Sequence, residues 1–385
     1  MKLFCNGDVY APAHLGRKDV LIEGTTILRI ADHITGYENN PDCKIYDCSG
    51  MKLVPGYIDV HEHITGGGGE QGPASRVPEA MLSQIVSCGV TTVVGLLGTD
   101  GITRSLENLI AKARALQEEG LTVFALTGSY GWPSVTITGS IEKDIVLIPP
   151  FIGVKIAVSD HRSSDPDAAV LIQAGTDARR AGLLSGTAGY VTMHMGSGKA
   201  GLHPLFEALA DSDIPISTFL PTHVLRTPEL MEQSAELIRM GGYVDATAGS
   251  DSEKVKTSAE KLFSLLNKEG VSADHVTLSS DAFGSQPKFD ETGNCIGLTF
   301  STPEWLHETI RLLVEKGMPL EEALKLLTST PAHVLKLDHK KGSIETGADA
   351  DLILLDNNFN IDSVFAMGKE AVIHKTVLMK GRFEA

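Results

Sequence analysis

Cysteine is sparse in this chain and poorly spaced. Cys5, Cys43, Cys48, Cys88 and Cys295 form an odd, scattered set with no close CxxC pair. That pattern argues against a disulfide framework or a thiolate zinc site and suits a reducing cytosol. Long apolar runs are also missing, since none approaches the roughly 20 residues that span a bilayer. The opening stretch MKLFCNGDVYAPAHLG lacks the continuous apolar core of a secretory signal. Basic residues are in deficit, 33 against 49 acidic, for a net charge of -16. Such a balance disfavours nucleic acid or an anionic membrane surface as the main partner. No internal repeat or low-complexity linker is visible. The expectation is a soluble cytoplasmic protein.

What is present is a regular alternation. Short β-rich apolar segments recur at 51–60, 89–97, 121–128, 151–159, 189–196, 214–223, 241–249 and 274–281. Several are near-continuous apolar runs, as expected of parallel strands covered by helices. Between them lie helical patterns such as TRSLENLIAKARALQEEG and DSEKVKTSAEKLFSLLNKEG. Most stop at Gly and several open on an acidic or Ser/Thr-bearing turn. Eight strands alternating with helices predict an α/β fold, a (β/α)8 TIM-like barrel over residues 53–339. The stretch 128–150 lacks a clean helical period and reads as a long active-site loop. Residues 1–52 and 340–385 read as short strands and turns, predicting a small flanking β-domain built from both chain ends.

In such a barrel the reactive rim lies at the C-terminal ends of the strands. The first strand ends in Asp59, His61 and His63, whose spacing of two places them on one face. His194, His223 and Asp281 end the fifth, sixth and eighth strands. A single strand-end His is more often a hydrogen-bonded structural residue than a ligand. Four at one rim, with an aspartate, are harder to explain that way. Lys155 is the sharpest anomaly, because an ammonium inside the apolar strand FIGVKIAVS is costly unless neutralised or paired. A free lysine ammonium offers only donors, whereas its carbamate with carbon dioxide is an anionic oxygen ligand able to bridge two cations. Four imidazoles with such oxygens suit zinc first and other first-row metals second. The expectation is two divalent ions held by His61, His63, Lys155, His194, His223 and Asp281. That is a hydrolytic site.

PGYIDVHEHITGGGGEQGP, GVTTVVGLLGTDGITR, GVKIAVSDHRSS, HMGSGKAGL, LPTHVLR and VTLSSDAFGSQP run in order over nearly the whole barrel. Together they resemble the amidohydrolase superfamily and, within it, the isoaspartyl (β-aspartyl) dipeptidase family. The resemblance implies carboxylation of Lys155 and cleavage of the isopeptide bond of β-aspartyl dipeptides. It implies a metal-bridging hydroxide as nucleophile, with Asp281 as general base and then acid and Tyr130 as oxyanion donor. It further implies that Glu70 meets the substrate ammonium, that Arg162 and Arg226 bind carboxylates, and that Thr99, Tyr130 and Ser285 make polar contacts. Gly66 to Gly69 are then expected to let backbone N–H groups approach the substrate, with Gly68 and Gly69 among the binding residues. A homo-oligomer also follows from the resemblance.

Two rivals remain at this point. One is a cyclic-amide hydrolase of the dihydroorotase or hydantoinase kind, or an N-acyl-amino-acid deacylase. Neither a cyclic imide nor an acylated amine carries an ammonium for Glu70. The other is a non-catalytic scaffold, although all six candidate ligands are retained here.

Overall fold

A computed structural model of the chain describes residues 1–289 and 295–384. Eight parallel strands form its centre: β1 (Tyr57–Glu62), β2 (Val90–Gly95), β3 (Thr122–Gly128), β4 (Phe151–Val158), β5 (Tyr190–Met195), β6 (Phe219–Thr222), β7 (Val244–Thr247) and β8 (Val276–Ser279). They are hydrogen-bonded side by side in chain order. Just past the strand ends, β1 meets the continuation of β8. There His63 N–H donates to Ala282 O (2.9 Å) and Asp281 N–H donates to His61 O (3.1 Å). The sheet is thereby curled into a nearly closed barrel.

The helices between strands start where short polar side chains can take up free N–H groups. Ser105 caps Leu106–Glu119, Asp167 caps Ala168–Ser185, Thr227 caps Pro228–Arg239 and Asp251 caps Ser252–Leu266. The first two end on left-handed glycines, Gly120 (φ 113°) and Gly186 (φ 71°). Their apolar faces cover strands that are buried almost throughout; β4 is buried at every position.

The second sheet has nine strands and draws on both chain ends. Lys2–Tyr10 pairs with His14–Glu23, Lys44–Asp47 and Lys52–Pro55, and the last of these pairs with Leu352–Leu355. The segment 51–60, read as one strand, is therefore two. Lys52–Pro55 belongs to the small sheet, and the chain passes Gly56 before entering the barrel. A Cβ at Gly56 would overlap the Thr91 side chain.

Other expectations are also refined. The presumed loop 128–150 contains a helix, Ile141–Leu147, too short for a period to show. A helix at His203–Ala210 links β5 to β6, and 319–337 holds two short helices, Leu320–Lys325 and Ser329–Val334. A hairpin of Ser285–Phe289 with Cys295–Phe300 follows the last barrel strand. Cys5, Cys43, Cys48 and Cys88 are free thiols. Among the described residues no helix is long and apolar enough to cross a membrane.

Lys341 ties the two sheets together. Its ammonium is buried and donates to Asp351 (2.6 Å) and to the Thr122 hydroxyl at the start of β3 (2.8 Å), with Asp349 at 2.9 Å. Removing one partner of a buried pair strands the other charge, which costs about 3 kcal/mol or more. Lys341→Met is therefore expected to lower the urea midpoint of unfolding clearly, while Lys369→Met on the exposed edge leaves it nearly unchanged.

Candidate active site

The barrel brings His61, His63, Lys155, His194, His223 and Asp281 to one mouth. His61 and His63 leave β1 beside the seam with β8, and Asp281 arrives from the other side. Its Oδ1 lies 3.1 Å from His63 Nε2 and 3.6 Å from His61 Nε2. One ligand atom from each of these three residues falls within 4.8 Å of the others, a spacing suited to a cation. The His223 ring centroid is 5.0 Å from that of His61 and 4.5 Å from that of His194. Lys155 Nζ, fully buried on β4, lies 3.2 Å from His61 Nε2.

Two of these residues adopt uncommon backbone conformations. His223 (φ 65°) and Asp281 (φ 50°) sit in the left-handed region, each just past the end of its strand. Such positions cost about 1–3 kcal/mol in bulky residues, less in Asp, and cluster at functional sites. Here they swing the side chains from the strand direction into the mouth.

The electrostatics favour ligands over cations. Burial pushes the pKa of all four histidines down, helped at His61 by the neighbouring Lys155 charge and at His223 by Arg226. Neutral imidazoles result, each with a lone pair to offer. Burial also lowers Lys155 to about 7, with Asp281 opposing and Arg162 and Arg226 reinforcing the shift. A large fraction of its amine is thus uncharged near neutral pH, the form that reacts with carbon dioxide. For Asp281 burial raises the pKa, but the hydrogen bond from His63, with the Lys155 charge adding, outweighs it, and the carboxylate stays ionised.

Whether these groups fit divalent cations is tested by what they leave unpaired. His223 Nδ1 meets the Thr247 hydroxyl at 2.7 Å, whereas its Nε2 is buried with no hydrogen-bond partner. One ring nitrogen on each of His61 and His63 is likewise buried and unpartnered. Buried polar atoms without partners are costly. On His61 and His63 the orphan is Nδ1, while Nε2 of both rings converges on the ionised Asp281 carboxylate and that of His61 also meets Lys155. With the unpartnered His223 Nε2, these form a donor set that cation ligation would satisfy. The residues fit.

Asp59, named with the histidines, behaves otherwise. Its carboxyl accepts from the backbone N–H of His61 (3.1 Å) and Ser280 (3.2 Å) and from the Ser280 hydroxyl. It braces the seam from below. Glu62, between the two histidines, is wholly buried, and burial followed by the Asp59 charge pushes its pKa well up.

Around the mouth lies a second ring. The Glu70 carboxylate accepts from Thr99 Oγ1 (3.2 Å) and Ser285 Oγ (2.8 Å), with Arg162 Nη1 at 3.5 Å. Arg226 Nη1 lies 3.3 Å from His194 Nε2. The Tyr130 hydroxyl is 2.9 Å from the His194 ring; burial pushes its pKa up, so it stays a protonated donor. The Arg162 guanidinium lies over the Tyr130 ring, 5.1 Å from its centroid.

Two residues here escaped sequence reasoning. Asp160 receives Arg162 through Nε and Nη2, both at 2.9 Å, lies 3.2 Å from His194 Nε2 and sits 3.7 Å from Arg226 Nη1. Burial alone would raise its pKa, but the hydrogen bonds from His194 and Arg162 hold the carboxyl far below the usual range. It fixes both arginines at once. Thr247 sets the orientation of His223. Asp160 stood in the quoted SDHR block, yet a turn aspartate carries no local sign of such a role.

The glycines act differently from expectation. The amides of Gly66, Gly67 and Gly69 donate to the carbonyls of His63, Phe283 and Ser75. They are engaged within the protein rather than turned to a ligand. Side chains are excluded because a Cβ at Gly66 would overlap the Val77 carbonyl and one at Gly68 the Ser75 carbonyl, both residues having positive φ. Close folding of the loop on 75–78 explains Gly66 and Gly68.

The fold matches that of known proteins. The amidohydrolase family model matches residues 238–381. A crystal structure of a β-aspartyl dipeptidase from Fervidobacterium islandicum AW-1, in complex with β-Asp-Leu dipeptide, superposes with a TM-score of 0.89 at 44% identity, covering 98% of both chains. Curated relatives align over shorter stretches. An N-acetylglucosamine-6-phosphate deacetylase from Caenorhabditis elegans is 30% identical over 28% of this chain, and a Staphylococcus aureus dihydroorotase is 29% identical over 40%. The chain spans 24% and 33% of the length of those two relatives. This chain belongs to the amidohydrolase family of enzymes. Along 98% of its length it is similar to a β-aspartyl dipeptidase, at 44% identity.

Proposed function

We propose that this enzyme hydrolyses the isopeptide bond of β-aspartyl dipeptides. The observation that carries the proposal is Glu70, a carboxylate fixed by Thr99 and Ser285 beside Arg162, with Arg226 on the far side of Asp160 at the same histidine-lined mouth. A β-aspartyl dipeptide bears one ammonium and two carboxylates, for which Glu70 and the pair Arg162 and Arg226 are the complementary groups. The complex of the 44%-identical relative with β-Asp-Leu supports the same reading.

His61, His63 and Asp281 would hold one divalent cation, His194 and His223 a second, with the carbamate of Lys155 shared between them. Zinc suits this donor set best. When bound, such ions polarise the scissile carbonyl and bring the pKa of water towards neutrality. The chain's own groups do the rest. Glu70 takes the substrate ammonium, and Arg162 and Arg226 take the carboxylates, bidentately where the planar fork allows. Gly68 and Gly69 line the approach. The Tyr130 hydroxyl donates to the carbonyl oxygen as negative charge develops on it. Asp281, ionised beside His63, accepts the proton of the attacking water and returns it to the leaving nitrogen.

Assay of the purified enzyme with β-Asp-Leu, dihydroorotate and N-acetyl-aspartate tests the reading. Turnover confined to β-Asp-Leu is expected, and preference for either other substrate would overturn it. A charge-assisted hydrogen bond is worth about 1.5–3 kcal/mol. Glu70→Gln is accordingly expected to raise KM for β-Asp-Leu about 10- to 100-fold, read from initial rates, with a smaller change in kcat.

A further inference from the structure

Arg104 lies on the segment that follows β2, just before the helix Leu106–Glu119, and is 5% exposed. Both terminal nitrogens of its guanidinium are spent on backbone carbonyls, while Nε is buried without a partner. Nη1 donates to Thr65 O, and Nη2 donates to Gly67 O (3.0 Å) and Val77 O (2.7 Å). Thr65 and Gly67 lie on the outgoing limb of the glycine loop and Val77 on its return limb. Both limbs are gripped by one side chain.

A buried cation is an expensive way to fill space. Burial lowers the pKa of Arg104, with Arg76 adding to the shift. An apolar residue would fill the volume without desolvating a charge, but it could not gather three carbonyls. Only a guanidinium presents several donors in a rigid fork. Its choice here points to geometry.

The loop has one residue whose position matters to chemistry. Glu70 follows Gly67 by three residues, and its carboxylate must reach Thr99 and Ser285 together. Thr99 stands on the same segment as Arg104. That segment therefore holds the base of the loop through Arg104 and meets its tip through Thr99. Gly67 also donates to Phe283 O (2.7 Å) and accepts from Val77 N–H (2.9 Å), which couples the base to the chain that carries Ser285. Arg76 makes a separate, outer tie to Asp100 (3.1 Å) and to the Thr103 hydroxyl. The loop thus keeps an anchor when Arg104 is changed.

We propose that Arg104 is a positioning residue for ammonium recognition: by clamping both limbs of the 64–78 loop it fixes where Glu70 stands, and so sets the preference for substrates with a free α-amino group. The proposal rests on the reading of Glu70 given above. It predicts an effect that depends on the substrate's ammonium and not on its amide.

The test uses the full-length enzyme loaded with its metal, with Arg104→Met and Arg104→Lys variants. KM and kcat are measured for β-Asp-Leu, and Ki for succinyl-leucine, which keeps both carboxylates and the amide but lacks the amine. Arg104→Met is expected to raise KM for β-Asp-Leu about tenfold or more, with kcat within about threefold and Ki for succinyl-leucine unchanged. Arg104→Lys should recover part of the loss, since lysine still donates to a carbonyl. In a Glu70→Gln background Arg104→Met should add almost nothing. Parallel weakening of both ligands, full additivity with Glu70→Gln, or failure of both variants to fold would each overturn the proposal and leave Arg104 a structural residue. A wild-type enzyme inert towards β-Asp-Leu would instead sink the reading of Glu70 and this proposal together. The two failures are told apart by the wild type alone.

Discussion

Asp281→Asn is expected to lower kcat for β-Asp-Leu by about 10³-fold or more while KM and bound metal stay near their wild-type values. The substitution is unusually clean. Asn tolerates the left-handed backbone of this position, φ 50°, nearly as well as Asp does. Its amide oxygen can still face His63, 3.1 Å away in the native pair. What it cannot do is take a proton and give it back. Rates of the variant and metal content by atomic emission decide the matter. A variant with more than about a tenth of native kcat would remove Asp281 from the proton transfer, and one stripped of metal would show it to be a ligand above all.

The other large effect concerns Lys155. With Lys155→Ala, kcat is expected to fall at least about 10³-fold and metal content to drop, because the carbamate proposed to join the two cations would be lost with the amine. Propionate or another short carboxylate, supplied at high concentration with zinc, should restore part of the activity by entering the space the side chain vacates. Lys155 is fully buried and its amine touches the His61 ring. A carboxylate lodged there meets the same partners as a carbamate would. Wild-type protein freed of metal and bicarbonate should likewise regain activity faster when bicarbonate accompanies the zinc. Lack of any rescue, together with indifference to bicarbonate, would show that the lysine acts as an amine.

Much of this arrangement was legible from residue order because barrel strands advertise themselves. β4 is apolar from end to end except for Lys155, so the lysine stood out against its own strand. His61 and His63 were legible from spacing, and His194, His223 and Asp281 from their places at strand ends. What stayed hidden depends on contacts between distant segments. Nothing in PGYIDV marks the passage from one sheet to another, since both sheets want apolar residues there. The helix Ile141–Leu147 is too short for periodicity to emerge. Asp160 reads as a turn residue until Arg162, Arg226 and His194 are seen around it. The glycine run suggested an open cradle for substrate because a sequence shows the missing side chains but not the carbonyls of 75–78 that exclude them.

The join between the first and last barrel strands has a consequence for how the enzyme comes into being. His63 and Asp281 are separated by 218 residues. A chain still emerging from the ribosome presents its two leading histidines long before the carboxylate that completes their set exists. A chain halted ahead of that aspartate would carry five of the six candidate ligands and lack the carboxylate that faces His61 and His63 across the join.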